Sequence, residues 1–230
     1  MATEQPLQVA KAPVGVPVGG RSLDGELAIP VNAHGVVLFA HGSGSSRHSP
    51  RNQFVARALE RHRLATLLMD LLTAEEEVVD DRTMEYRFDL PMLARRLVTI
   101  IDWTRSRTDT TGLPIGLFGA STGGGAALMA AAERPHEVAA VVSRGGRPDL
   151  AGQALNNVSA PTLLIVGGLD APVIQMNREA MRQMHGLVQL EIVPGATHLF
   201  EEPGTLDRVA ELAGQWFARY LQAGAKTLRR

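Results

Sequence analysis

Cysteine is absent from this 230-residue chain. Its absence removes disulfides, cysteine metal sites and any thiolate nucleophile. A strong charge of either sign is missing too. The formal net charge is -1, so no basic face is expected for nucleic acid. No apolar run approaches the ~20 residues that a bilayer demands. Residues 1–20 have neither the basic start nor the apolar stretch of a signal peptide, and they read as a flexible N-terminal leader. The cytoplasm follows as the default location. No internal repeat and no interdomain linker break the rest, which reads as one domain over residues 21–230.

What is present is alternation. Residues 23–31 read as an antiparallel leading strand. Strands are then expected at 35–41, 64–72, 115–118, 138–143, 162–166 and 188–193. Helices are expected at 50–62, 88–107, 122–133, 173–185 and 205–223. In the second helix Leu90, Leu93, Leu97, Ile100 and Ile101 recur at helical spacing. Such an order predicts an α/β fold with a mostly parallel central sheet and helices on both faces. The segment at 73–87 is acidic and follows a strand, so it belongs at the carboxyl end of the sheet, where such folds place their sites. The connection at 144–160 is too short to hold a cap domain, which predicts an open cleft.

Gly119-Ala120-Ser121-Thr122-Gly123 joins a buried strand to a small-residue helix. A G-x-S-x-G in that setting makes a sharp turn that exposes the serine Oγ, and the two glycines let strand and helix approach closely. Ser121 is therefore the candidate nucleophile, and a serine needs a base to take its proton. Of seven histidines, only His198 falls after the last strand and before the last helix. Histidine titrates near working pH, which suits a base. Asp170 closes the preceding strand in Gly167-Gly168-Leu169-Asp170, where it can orient the imidazole; a helix N-cap is its alternative use. Seryl-enzymes also need donors for the oxyanion. One comes from the residue after the serine, Thr122, and one from the loop after the first parallel strand, His41-Gly42-Ser43-Gly44-Ser45-Ser46-Arg47. The amides of Ser43 and Thr122 are expected, with Gly44 the rival for the first.

Two nucleotide readings fail on missing residues. Gly42-Ser43-Gly44, with Asp70 at the end of the next strand, imitates a dinucleotide fingerprint, but Arg47 stands where the third glycine belongs. The segment at 116–122 lacks the lysine of a phosphate loop. Among Arg47, Arg51 and Arg144, the first adjoins the loop after the first parallel strand and the last directly follows the strand after the elbow, so both are expected at the cleft mouth. Arg47 and Arg144 are candidates to hold a substrate carboxylate bidentately. The alternative for them is a structural salt bridge to Glu75, Glu76, Glu77, Asp80 or Asp81.

Taken together, the 119–124 elbow, Gly168-Leu169-Asp170, the Gly195-Ala196-Thr197-His198 ending and the capless length resemble the α/β-hydrolase superfamily, and within it the dienelactone hydrolase family. The resemblance covers about residues 23–221. It implies a catalytic triad of Ser121, Asp170 and His198. The family's nucleophile is cysteine, and this chain has Ser121 in its place, which points toward ordinary carboxylic esters. The expected activity is hydrolysis of small esters or lactones through an acyl-enzyme. No cofactor, metal, nucleic acid or membrane is expected, and the oligomeric state is left open. Thioester cleavage, acyl transfer, or a non-catalytic binding role on the same scaffold are the alternatives.

Overall fold

The computed structural model describes residues 7–222. Eight strands form one sheet in the order β1-β2-β4-β3-β5-β6-β7-β8. They are β1 (Val9–Val18), β2 (Arg21–Pro30), β3 (Gly35–Ala40), β4 (Leu64–Met69), β5 (Ile115–Ala120), β6 (Val138–Arg144), β7 (Thr162–Gly167) and β8 (Val188–Val193). From β4 to β8 every neighbouring pair is parallel; β1 and β2 run antiparallel at one edge. Strands β3, β4, β5 and β7 are buried along their whole length. That explains their near-continuous apolar sequences, because helices cover both faces.

The six α-helices among the described residues are α1 (Pro50–Arg61), α2 (Ala74–Thr83), α3 (Leu90–Ser106), α4 (Thr122–Glu133), α5 (Ala171–Gln183) and α6 (Thr205–Tyr220). Alternate strand residues feed two separate cores. Leu38 and Leu117 pack with Leu97 and Ile101 of α3 and Leu128 of α4. Phe39 and Phe118, with ring centroids 4.9 Å apart, pack with Val55 and Leu59 of α1 and Phe217 of α6. This is an α/β-hydrolase fold with no cap domain: between β6 and β7 stand only short 3-10 turns over Pro148–Asn157.

Three elements differ from the sequence reading. The expected leader at 1–20 contains strand β1, paired along its length with β2; residues 1–6 of that leader lie outside the described residues. Pro13 and Pro17 interrupt its strand signal, yet an edge strand tolerates proline. Within the acidic segment lies helix α2, closed at its start by a capping box between Thr73 and Glu76. It has no apolar stripe, and Val78 and Val79 are exposed, so no periodicity announces it. The last helix ends at Tyr220 rather than at 223, which itself lies outside the described residues.

Candidate active site

Ser121 sits between β5 and α4 with φ 51° and ψ -123°. A positive φ on a residue with a Cβ costs on the order of 1–3 kcal/mol and must be held by its surroundings. Here the holding groups are backbone. The Ser121 amide donates to the Arg144 carbonyl at 3.2 Å, and the Ser121 carbonyl accepts from the amides of Gly124 and Arg147 at 2.9 and 3.0 Å. Glycine is needed around the turn for space. A Cβ on Gly119 would lie 2.5 Å from the Gly123 carbonyl oxygen and 2.6 Å from Gly124 Cα.

The loops after β7 and β8 lie backbone to backbone. The Leu169 amide donates to the Ala196 carbonyl at 2.9 Å, and Gly168 to Val193 at 2.8 Å. This contact brings Asp170 Oδ2 to 2.7 Å from His198 Nδ1. The other ring nitrogen, Nε2, lies 3.4 Å from Ser121 Oγ. That distance is long for a hydrogen bond, and such contacts tighten when substrate is bound. Asp170 also precedes α5, but its carboxylate caps no helix amide, so the N-cap alternative is not the one adopted. Glu202 steadies the histidine loop by accepting the Thr197 amide at 3.1 Å.

The loop after β3, the expected source of an oxyanion donor, is fastened more tightly than its sequence suggests. The Ser43 amide donates to Thr122 Oγ1 at 2.9 Å, and the two hydroxyl oxygens are also 2.9 Å apart. Ser43 Oγ donates onward to the Arg87 carbonyl at 3.2 Å. The expected Ser43 donor is thus engaged by the elbow's own threonine. Arg87 is in turn clamped to Asp80, Nε to Oδ2 at 2.5 Å. Beneath the loop, His41 Nδ1 donates to the Gly42 carbonyl at 2.9 Å and Nε2 accepts the Leu71 amide at 3.1 Å. Burial pulls the His41 pKa down, against the opposing pull of the Gly42 carbonyl and Asp70, so the ring stays neutral and fixes the loop. A cavity of about 130 Å³ lies behind the loop, lined by His41, Ser43, Gly44, Asp80 and Arg87 among others; Ser121, Asp170 and His198 do not line it.

The two arginines part ways. Arg47 takes the structural role: its guanidinium pairs with Asp70 and reaches Asp24 at 3.7 Å, and its amide donates to Asp70 Oδ1 at 2.6 Å. Its partners come from β2 and the end of β4, not from the acidic segment. That segment pairs with Arg21, Arg96 and Arg87 instead. Arg144 is 7% exposed, and its Nε and Nη1 are buried without a hydrogen-bond partner. Burial, with Arg51 nearby, pulls its pKa down to about 10.

The residues missed by sequence reasoning lie at 145–147. Gly145 has φ +51°, and a Cβ there would stand 3.1 Å from the His198 carbonyl oxygen. Gly146 presents its carbonyl to the buried Asn177 Nδ2 at 3.0 Å, and Arg147 holds the Ser121 carbonyl. A Gly-Gly pair directly after a strand was the available signal.

Fold and geometry define a protein of the α/β-hydrolase class. Residues 23–223 match the profile of the dienelactone hydrolase family, and the chain belongs to that family. A dienelactone hydrolase from Anabaena variabilis of known crystal structure is 60% identical, with a TM-score of 0.92 over 94% of this chain and 100% of that one. Est1E from Butyrivibrio proteoclasticus shares the fold at 16% identity, with a TM-score of 0.75 over 90% of this chain and 98% of the other. A Mycobacterium tuberculosis protein provisionally named a phosphoribosyl transferase, found in two strains, is 54% identical over 218 residues, 95% of this chain. The chain spans about half, 47%, of the length of those curated relatives. No described helix is long and apolar enough to cross a membrane.

Proposed function

We propose that the protein hydrolyses small carboxylic esters or lactones, with Ser121 as nucleophile, His198 as general base and Asp170 as its orienter. The carrying observation is the Asp170–His198–Ser121 chain of contacts at 2.7 and 3.4 Å. His198 takes the Ser121 proton as Oγ attacks the carbonyl carbon. Asp170 keeps the proton on Nδ1 and so leaves Nε2 free to accept. The tetrahedral oxyanion takes hydrogen bonds from the Thr122 amide, at the start of α4, and from the Ser43 amide, which exchanges its bond to Thr122 Oγ1 for one to the substrate. The Gly44 amide is the neighbouring donor. His198 then protonates the leaving alcohol as the C–O bond breaks. Water, deprotonated by the same ring, attacks the acyl-enzyme and releases the acid and free Ser121.

The mycobacterial name does not redirect this reading. It describes a protein about twice as long, and it does not require the transferase to lie in the half that matches this chain. A panel of neutral esters and lactones of graded acyl length tests the proposal. Turnover that vanishes in Ser121→Ala, with the thermal unfolding curve retained, is the expected result. Turnover that persists in that variant refutes it.

A further inference from the structure

The middle of α5 holds a residue that both the helix and the core disfavour. Asn177 is fully buried, at 0% exposure, and its Oδ1 has no hydrogen-bond partner. Asparagine is a weak helix former, and a buried acceptor left unbonded costs free energy. Alanine would avoid both penalties. What asparagine supplies is the other end of its amide. Nδ2 donates to the Val173 carbonyl at 2.8 Å and to the Gly146 carbonyl at 3.0 Å. The first bond stays within the helix. The second crosses to the turn after β6, 31 residues away in sequence.

That turn is what grips Ser121. The Arg144 carbonyl accepts the Ser121 amide at 3.2 Å, and the Arg147 amide donates to the Ser121 carbonyl at 3.0 Å. Between these two anchors stand Gly145 and Gly146, of the residue type with the most backbone freedom. Neither has a side chain to pack, and a Cβ on Gly146 would collide with Ser143 Oγ. Hydrogen bonds from outside the turn therefore have to fix the pair. The Gly145 amide donates to the Ile165 carbonyl at 2.7 Å, and the Gly146 carbonyl takes the Asn177 amide. Gly145 also borders the histidine loop, since a Cβ there would stand 3.6 Å from His198 Cε1. Helix α5 itself begins directly after Asp170, whose carbonyl accepts the Ile174 amide at 2.9 Å. Asn177 lies about two turns further along. One carboxamide thus joins the helix that Asp170 opens to the turn that holds Ser121 and adjoins His198.

We propose that Asn177 is a positioning residue: through Gly146 it sets the 144–147 turn, and with it the attitude of Ser121 toward Asp170 and His198. The catalytic consequence rests on the hydrolase reading above; the restraint on the turn does not. Asn177 touches no reacting atom. It acts by keeping the Ser121–His198 contact, 3.4 Å in the free protein, close to the distance at which a proton transfers.

The test compares the full chain as Asn177→Ala with the wild type in two measurements. The first is amide hydrogen exchange read by mass spectrometry. Peptides covering 119–124 and 144–148 are expected to exchange several-fold faster in the variant, while those of β3 and α3 keep their rates. The second is labelling of Ser121 by a fluorophosphonate over a range of concentrations. The limiting rate is expected to fall about tenfold or more, since a shift of ~1 Å in a reacting group costs about a hundredfold. The half-saturating concentration should stay within about twofold, because the loss falls on the transition state and not on binding. A role in stability alone would shrink the labelled fraction and leave the limiting rate unchanged. Asn177→Ser covers the case that the alanine variant does not fold. Its shorter hydroxyl can bond back to the Val173 carbonyl within the helix without reaching Gly146, and the same two changes are expected. Unchanged exchange at 144–148 overturns the proposal. So does faster exchange with an undiminished limiting rate. A wild type that is not labelled at Ser121, with the exchange difference intact, would instead strike the hydrolase reading alone.

Discussion

Replacing Arg144 by methionine is expected to make the protein more stable. The residue is a long cation with two nitrogens sealed from water and unbonded. Its pKa falls well below the ordinary arginine value, to about 10, through burial and then through Arg51. At about 1.36 kcal/mol for each tenfold change in proton affinity, the charged form costs roughly 3 kcal/mol in the folded protein. Its sign fixes the pH window. The folded state binds this proton less tightly than the unfolded state, so the cost is complete below pH about 10 and fades as pH rises from there toward the ordinary arginine range. Methionine keeps the length, removes the charge and can fill the space against Phe200, at the loss of a cation–π contact of about 0.5–2 kcal/mol. The net expectation at pH 7 is a gain of about 1–3 kcal/mol, on the order of 2–12 °C in Tm for a chain of this size. Urea titration and calorimetry at pH 7, in buffer free of phosphate and carboxylates, measure it. A loss of stability greater than about 1 kcal/mol would refute the reasoning, because it would mean that Arg144 is compensated from within the fold.

Other perturbations probe the catalytic arrangement. Asp170→Asn puts the proton on the wrong imidazole nitrogen; kcat should fall by about 10³–10⁴ while Tm moves little, measured by steady-state kinetics on the best ester. Thr122→Val removes the oxygen that the Ser43 amide must leave to reach the oxyanion, so the free protein is left with an unsatisfied donor worth ~1–3 kcal/mol; Tm should fall while kcat/KM does not, with Thr122→Ser restoring Tm. His41 has a lowered pKa, so the folded state resists its protonation, and stability should decline as pH falls below the ordinary 6.5. In His41→Gln the acid limb of the stability curve should flatten between pH 7 and 5; an identical limb would mean that His41 does not contribute.

The parts of the molecule legible in sequence are those written in local patterns. The strand–turn–helix around Ser121 announces itself because the turn needs Gly119 and Gly123 at fixed offsets. That Asp170 and His198 would lie close together was legible because each follows a strand, and parallel sheets gather such positions at one end. Arg47 was legible as a residue near the cleft but not as a partner of Asp70 and Asp24. That pairing depends on β4 lying between β2 and β3, an order that no local pattern encodes. For the same reason the bond from Ser43 to Thr122, 79 residues apart, could not be foreseen. The Thr73–Glu76 capping box was readable, but a helix without an apolar stripe gives a cap and little else. Gly145 was passed over because its constraint, the His198 carbonyl, comes from a loop more than fifty residues later.

The central claim is that Ser121 is the nucleophile and His198 its base. Intact-mass and peptide mass spectrometry after brief exposure to a fluorophosphonate test it directly. The account predicts one adduct per chain, located on Ser121, absent in Ser121→Ala and slowed at least a hundredfold in His198→Ala. An unmodified Ser121 in active protein, or labelling that proceeds at the same rate without His198, would contradict it.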